Sequence, residues 1–584
     1  MLYISAHNIL SSLGFSTSEN INNIRKNISG IKLSEDATLS PEPAFVSLIP
    51  YGKIEKKFSE ITKNEKKYTK YEKMLIVSIN DAAENSPVNI LSEDTVWIFS
   101  TTKGNIDLLE KNKKDKYEPE RLKLWKSSKI VSEFFGKKQD IITVSNACIS
   151  GTLAIIVAQR LINSGKYKHA AVAGADILSE FTLSGFTAFK AVSETPCKPF
   201  DINRTGMTPG EGAATVILTS DKSLSDKSGI IIAGGASSND ANHISGPSRT
   251  GEELALSIKN ALKESGMTSA DIDFISGHGT ATPYNDETES KALELSGLQN
   301  VPLSGTKGYI GHTFGATGII ETIIATEAIK NSEIYKTAGF EKLGVSGKIN
   351  VQKEYKKADI KSALKTASGF GGCNASLILK KDSEIDKPKQ ENIADIKISK
   401  KIIIESNKIS INDTKDFEIQ SENFAAFVKS AYKHYGIKYP KFYKMDDLSK
   451  LGFIAAEILL QDTNILSKYK SEDIAVILSN ESSSLNTDAE YQKTIDDRDN
   501  YFPSPSVFVY TLANIMTGEI CIRHKIKGEN TVFIEKDFNK KFIFDYVNIL
   551  FNTHKAEACI TGRINIDYPD KKYYAELYLA EHRK

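Results

Sequence analysis

Ile142-Thr-Val-Ser-Asn-Ala-Cys148-Ile-Ser-Gly-Thr-Leu-Ala-Ile155 joins a β-branched run to a helical pattern, with a cysteine at the junction. From Gly151 to Ser164 the apolar residues Leu153, Ile156, Ala158 and Leu161 recur on one side, the spacing of a packed helix. A thiol placed there feels the helix dipole and unpaired N–H groups, which favour thiolate. An isolated cysteine is nevertheless more often a small buried hydrophobe, so this stretch alone leaves its chemistry open. Further β-branched runs at Thr95–Ser100 and Ala170–Gly174 alternate with helical stretches. Strand and helix in alternation predict an α/β layered sandwich with buried parallel strands over residues 1–382.

The whole chain of 584 residues is 40% apolar and 26% charged, an ordinary globular composition. Its 75 basic and 74 acidic side chains leave a net charge of +1, so no overall field draws it to nucleic acid or an anionic membrane. No apolar run is long enough for a membrane span, and the first residues, with His7 and Asn8 inside the apolar stretch, do not read as a secretory signal. The five cysteines are scattered without a CxxC pair, which argues against a disulfide framework or zinc knuckle and for a reducing, cytoplasmic setting.

Three further stretches carry chemistry-bearing residues among small ones. Ser276-Gly-His278-Gly-Thr280-Ala-Thr282-Pro283 follows an apolar run; Lys307-Gly-Tyr-Ile-Gly-His312 precedes a helical one. Glycine beside each imidazole allows tight packing and a fixed ring. Ala367-Ser-Gly-Phe370-Gly371-Gly-Cys373 is a glycine-rich turn before a strand, a source of backbone N–H donors for an oxyanion. Cys373 itself is expected in the core.

Together with Lys198-Pro-Phe-Asp201, Arg204-Thr-Gly206 and Gly210-Glu-Gly-Ala-Ala214, these four stretches resemble the β-ketoacyl synthases of the thiolase superfamily, in the Cys-His-His class that elongates acyl chains. The resemblance implies a thiolase-like αβαβα sandwich of two pseudo-repeated halves, 1–225 and 226–382. It implies an acyltransferase that condenses an acyl thioester with malonyl-acyl carrier protein in fatty acid, polyketide or aryl polyene/flexirubin-type synthesis. Cys148 would carry the acyl group, His278 and His312 would stabilise the enolate, and Lys307, paired with Glu321, would position them. Backbone N–H groups of Cys148 and Phe370 would hold the oxyanion, with Phe370–Gly371 as gate and Thr280, Thr282 and Asp286 as structural support. No cofactor or metal is implied. The expected partners are acyl carrier protein and a second synthase subunit, identical or not, paired through strand Ile141–Ser145. Two departures stand out: Ser276 occupies the position where the family has an acid, and the segment before Cys148 is short. A non-catalytic chain-length-factor-like subunit lacks the nucleophile and a thiolase has a second catalytic cysteine before the last glycines; neither pattern is present.

A charged linker is expected at 383–400, and a further α/β domain at 401–584 with a helix near Asp446–Leu460 and strands near Ile474–Ser479 and Ala558–Ile564. This domain resembles the N-terminal half of a thiolase fold, like the truncated chain-length-factor-like proteins of pigment pathways. Aligning Gly174 with Gly562 sets Lys536 opposite Cys148, so this half should be chemically silent. A lone half would expose the face its sister normally covers, and large apolar patches are uncommon on soluble proteins. The face should therefore be remodelled or docked.

Overall fold

The computed structural model describes residues 1–584 except 64–66, 112, 114–115, 383–395, 421–422 and 584. Most of the linker expected at 383–400 lies outside the described residues, and from Ile396 onward the chain is already strand, ahead of the start expected at 401.

The principal elements of the first part are β1 (Leu2–Leu10), α1 (Lys70–Glu84), β2 (Thr95–Ser100), α2 (Leu124–Phe134), β3 (Ile141–Val144), α3 (Ser150–Asn163), β4 (His169–Asp176), α4 (Glu180–Ala188) and β5 (Gly212–Thr219). They form a sheet in the order β3-β2-β4-β5-β1, with the first two contacts parallel and the last two antiparallel. Next come β6 (Ile230–Asn239), α5 (Glu252–Ser265), β7 (Phe274–Gly277), α6 (Pro283–Leu295), β8 (Pro302–Gly305), α7 (Thr317–Asn331), β9 (Ser362–Gly369) and β10 (Cys373–Lys381). Their sheet runs β8-β7-β9-β10-β6 with the same sequence of parallel and antiparallel contacts. The fold is thus the expected thiolase-like layered α/β architecture, two halves of one plan.

Between the sheets, α3 and α7 cross with almost no side chain between them. A Cβ on Gly151 would stand 2.8 Å from the Ile319 nitrogen, and one on Gly318 would stand 2.2 Å from the Thr152 nitrogen. Nearly every residue of both helices is buried, which explains why neither shows a polar face: they are the central layer. This crossing brings the start of α3, with Cys148, against the segment before α7, with His312.

After residue 395 the plan is repeated a third time: β11 (Ile396–Glu405), α8 (Asp447–Leu460), β12 (Ile474–Asn480), α9 (Leu485–Lys493), α10 (Ile515–His524), β13 (Asn530–Ile534), α11 (Lys540–Asn552), β14 (Ala558–Ile566) and β15 (Tyr573–His582). Sheet order β13-β12-β14-β15-β11 and strand senses match those of the first half. In register terms Gly174 sits beside Ser100, itself beside Val144, while Gly562 sits beside Leu478, itself beside Val532. Counting on from Val144 and Val532 gives Cys148 in one unit and Lys536 in the other. Lys536 is exposed and lies over the Trp125 ring at 5.7 Å.

The third unit docks on the first through β3. Phe533 of β13 pairs antiparallel with Val144, the Ser145 N–H donates to the Val532 carbonyl at 3.2 Å, and the Asn146 side chain spans Asn530 and Val532. The strand edge expected to pair with a second subunit is therefore occupied by this chain itself, because a tethered complementary strand covers it first. Two buried ion pairs cross the same interface: Arg160 with Glu529, to which Tyr546 also donates at 2.9 Å, and Lys103 with Asp488 at 2.8 Å. The α11 face of the third sheet keeps apolar residues beneath the helix, among them Ala475, Ile477, Phe533 and Cys559, and turns polar along β15. Tyr574 and Tyr578 donate to Glu576 there, and Lys540 covers Tyr578 at 4.4 Å. Remodelling and docking both occur.

Arg160 and Glu529 test the interface energetically. Glu529→Ala strands a buried guanidinium, which costs roughly 3–5 kcal/mol, so thermal unfolding should fall by many degrees. The double variant Arg160→Met/Glu529→Leu should recover most of the loss in the same melting experiment.

Candidate active site

Cys148 lies in a tight turn at the foot of α3. Ala147 takes a left-handed φ of 46°, and Ser150 fastens the turn by donating its hydroxyl to the Ala147 carbonyl at 2.6 Å while accepting from the Asn146 N–H at 2.8 Å. The glycine-rich turn packs against it: a Cβ on Gly369 would stand 3.0 Å from the Cys148 nitrogen. The expectation of a lowered thiol pKa is not met. Burial pushes Cys148 up to about 12, against the opposing pull of the Lys307 ammonium. Desolvation is the largest cause of this shift.

The two histidines face each other edge to face, ring centroids 5.5 Å apart. Their tautomers follow from their partners. The Phe314 N–H donates to His312 Nδ1 at 3.1 Å. The Lys307 ammonium stands 3.3 Å from His278 Nδ1 and can only donate to it. In both rings Nδ1 is the acceptor, so Nε2 carries the proton. Burial and Lys307 hold both well below the usual histidine pKa, so at neutral pH the site offers two neutral Nε2–H donors.

Lys307 also donates to the His278 carbonyl and pairs with Glu321 at 2.7 Å, the arrangement the resemblance implied. A second ammonium, Lys365 of β9, contacts the other Glu321 oxygen at 2.7 Å. Glu289 accepts from the His278 and Gly279 N–H groups at 2.7 and 2.8 Å. Asp286 accepts from the Phe200 and Ala281 N–H groups, and burial raises it to about 7. Thr280 and Thr282 share a hydroxyl hydrogen bond of 2.9 Å above it. Asp176, at the end of β4, gathers the N–H groups of Thr102, Lys103 and Gly315.

Lys365, Glu289 and Asp176 are missed by the sequence reading. Lys365 and Asp176 lie far along the chain from their partners, while Glu289 stands only 11 residues after His278, in the next helix, with no pattern that singles it out. Cys373 is fully buried, as expected. The expected short approach to Cys148 nevertheless contains a helix, α2. Among the described residues, no cluster of His, Cys, Asp and Glu could hold a metal ion.

An aromatic path leaves this site. Phe314 stacks on His312 at 5.2 Å and on Phe186 at 5.4 Å. Phe186 and Phe189 both contact Phe370. Phe508, from the third unit, meets Phe186 at 5.2 Å and Tyr491 at 5.1 Å. It enters a notch in α4 that only glycine leaves open: a Cβ on Gly185 would lie 2.1 Å from its ring.

Residues 6–223 match the β-ketoacyl synthase N-terminal domain and residues 229–341 the C-terminal domain. The chain belongs to the β-ketoacyl synthase family. It is 36% identical to a 3-oxoacyl-[acyl-carrier-protein] synthase 2 of Rhizobium meliloti over 41% of this chain and 60% of that one. It is 31% identical to a putative polyketide β-ketoacyl synthase 1 of Streptomyces halstedii, over 43% of this chain and 62% of the relative. A 3-oxoacyl-[acyl-carrier-protein] synthase 2 of Staphylococcus aureus (strain COL) is 28% identical, covering 65% of this chain and 97% of its own. This synthase-family chain therefore spans about three fifths of the first two relatives and nearly all of the third. Among solved structures, a PfaC keto synthase-chain length factor covers 100% of this chain and 78% of its own, with a TM-score of 0.78 at 13% identity. The ishigamide ketosynthase/chain length factor covers 65% of this chain and 99% of its own, with a TM-score of 0.59 at 23% identity.

The raised thiol pKa sets a direction for reactivity. Because folding favours neutral Cys148, its alkylation by iodoacetamide should keep rising with pH from 7 to beyond 9 rather than level off near 8.5. A plateau below pH 8 would mean a depressed pKa instead.

Proposed function

We propose that this chain is an elongating β-ketoacyl-acyl carrier protein synthase. Cys148 attacks the carbonyl carbon of an acyl thioester; the carrier's C–S bond breaks, and the thiol proton ends on the departing carrier thiol. Malonyl carrier then loses carbon dioxide. The enolate carbon attacks the acyl-Cys148 carbonyl and Cys148 leaves as thiolate, to be reprotonated from solvent. Splitting the condensation at a covalent intermediate is the gain from the nucleophile.

The observation that carries this reading is the matched pair of imidazoles. Both rings are neutral and held by donors at Nδ1, which leaves Nε2–H as the donor suited to an enolate oxygen; at His278 the Ser368 backbone also hydrogen-bonds the ring. Lys307 acts at one remove, fixing His278 through Nδ1 and its carbonyl, with Glu321 as counter-ion. Phe370 N–H and Cys148 N–H supply the oxyanion hole. Thr280, Thr282 and Asp286 brace the His278 loop.

The third unit supports a chain-length-factor-like role within the same polypeptide, since its position opposite Cys148 is Lys536 and it occupies the β3 edge. The aromatic path through Phe186 and Phe508 is the proposed acyl channel, lined from both units. An acidic acyl carrier protein is the proposed partner, and a cytoplasmic setting suits five free thiols. With β3 taken, an identical second subunit is not needed to complete the fold.

Intact mass measurement after incubation with a panel of acyl carrier thioesters should show one acyl adduct, lost in Cys148→Ala with the fold intact. In His312→Ala, acyl loading should persist, while malonyl decarboxylation falls about 10²–10³-fold, the effect of losing one such donor. No adduct on Cys148 with any thioester would leave a non-catalytic subunit as the reading.

A further inference from the structure

The glycine-rich turn next to Cys148 is not held by its own module alone. Gly371 donates to the Ile244 carbonyl at 2.6 Å and accepts from Asn239 Nδ2 at 2.9 Å. The Phe370 carbonyl is taken by Asn514 Nδ2 at 2.7 Å. Asn514 belongs to the third unit, just before α10. It is 1% exposed. Its Nδ2 also lies 3.6 Å from Cys373 Sγ, and the Phe370 carbonyl fixes the amide's orientation, because an oxygen facing it would be repelled.

Shape enforces the same contact. Gly371 has a φ of 88°, and a Cβ there would stand 2.5 Å from Asn514 Nδ2. From the other side, a Cβ on Gly518 would stand 2.8 Å from the Gly371 carbonyl oxygen. The Gly518 N–H in turn donates to the Asn514 carbonyl at 2.9 Å, tying the amide to the helix start. The first turn of α10 and the turn beside Cys148 are thus fitted backbone to backbone, with Asn514 as the polar link. Such a fit is more than coverage of apolar surface requires.

We propose that Asn514 is a positioning residue of the condensing site, supplied by the third unit to a nucleophile it does not carry. By holding the Phe370 carbonyl, which Cys373 Sγ also contacts at 3.3 Å, it fixes the Phe370–Gly371 peptide plane and so limits how far Phe370, with its N–H, can turn from the thioester carbonyl on Cys148. The third unit then affects the chemistry itself in addition to the shape of the channel. This inference rests on the reading of Cys148 as acyl acceptor.

The two steps separate a positioning role from a structural one. The oxyanion hole serves the tetrahedral species of acyl transfer and condensation, whereas decarboxylation relies on the histidines. Asn514→Ala in the full chain should lower the rate of acyl transfer to Cys148 on the order of tenfold, with the KM for acyl carrier thioester changed less than twofold and malonyl decarboxylation largely kept. Asn514→Asp should be worse, since a carboxylate cannot donate to Phe370. Gly518→Ala, which pushes on Gly371 with Asn514 intact, should give the same split. Equal loss in both steps, or unchanged acyl transfer in all three variants, overturns the proposal. Failure of the wild-type chain to take an acyl group on Cys148 would refute the underlying reading instead.

Discussion

An unpaired strand edge four residues from Cys148 has to be covered, and the pairing of β13 with β3 covers it. Open edges invite uncontrolled association. Here the edge also leads directly into the Asn146–Cys148 turn, so whatever pairs with β3 determines how well the turn is held. Asn146 spends both ends of its amide on Asn530 and Val532. From that contact follow the burial of α11 against α3, the Arg160–Glu529 pair, and the approach of α10 to the Phe370 turn.

Around Cys148 the buried charged groups compensate one another. Lys307 and Lys365 share Glu321, while Glu289 satisfies N–H groups of the His278 loop. Buried ions of this kind persist only when paired. Burial pulls Lys365 below its ordinary pKa, keeps the imidazoles neutral and keeps the thiol protonated at rest. Ser276 lies in the same network: its carbonyl is 3.5 Å from the Lys365 ammonium.

Local pattern was enough to read much of this. The strand-to-helix junction at Cys148, the glycine-flanked histidines and the 3.6-residue period of the buried helices all follow from contiguous residues. The third repeat was legible because β12 and β14 keep their apolar runs. What could not be read depends chiefly on residues brought together from far apart: Lys365 with Glu321, Asp176 with Gly315, Asn514 with Phe370. None of these lies on a periodic face, and an asparagine before a helix reads as an ordinary loop residue. The direction of the Cys148 shift was misjudged for the same reason, since the helix dipole is local and the desolvation comes from every layer around it.

The covalent link to the third unit has a consequence for how the protein behaves at low abundance. A two-chain synthase loses its strand pairing when its subunits dilute below their dissociation constant. Here β13 and β3 belong to one polypeptide, so their pairing is an intramolecular event that dilution does not undo. The completeness of the site is therefore independent of expression level. Every chain carries Cys148 and the third unit in fixed one-to-one proportion.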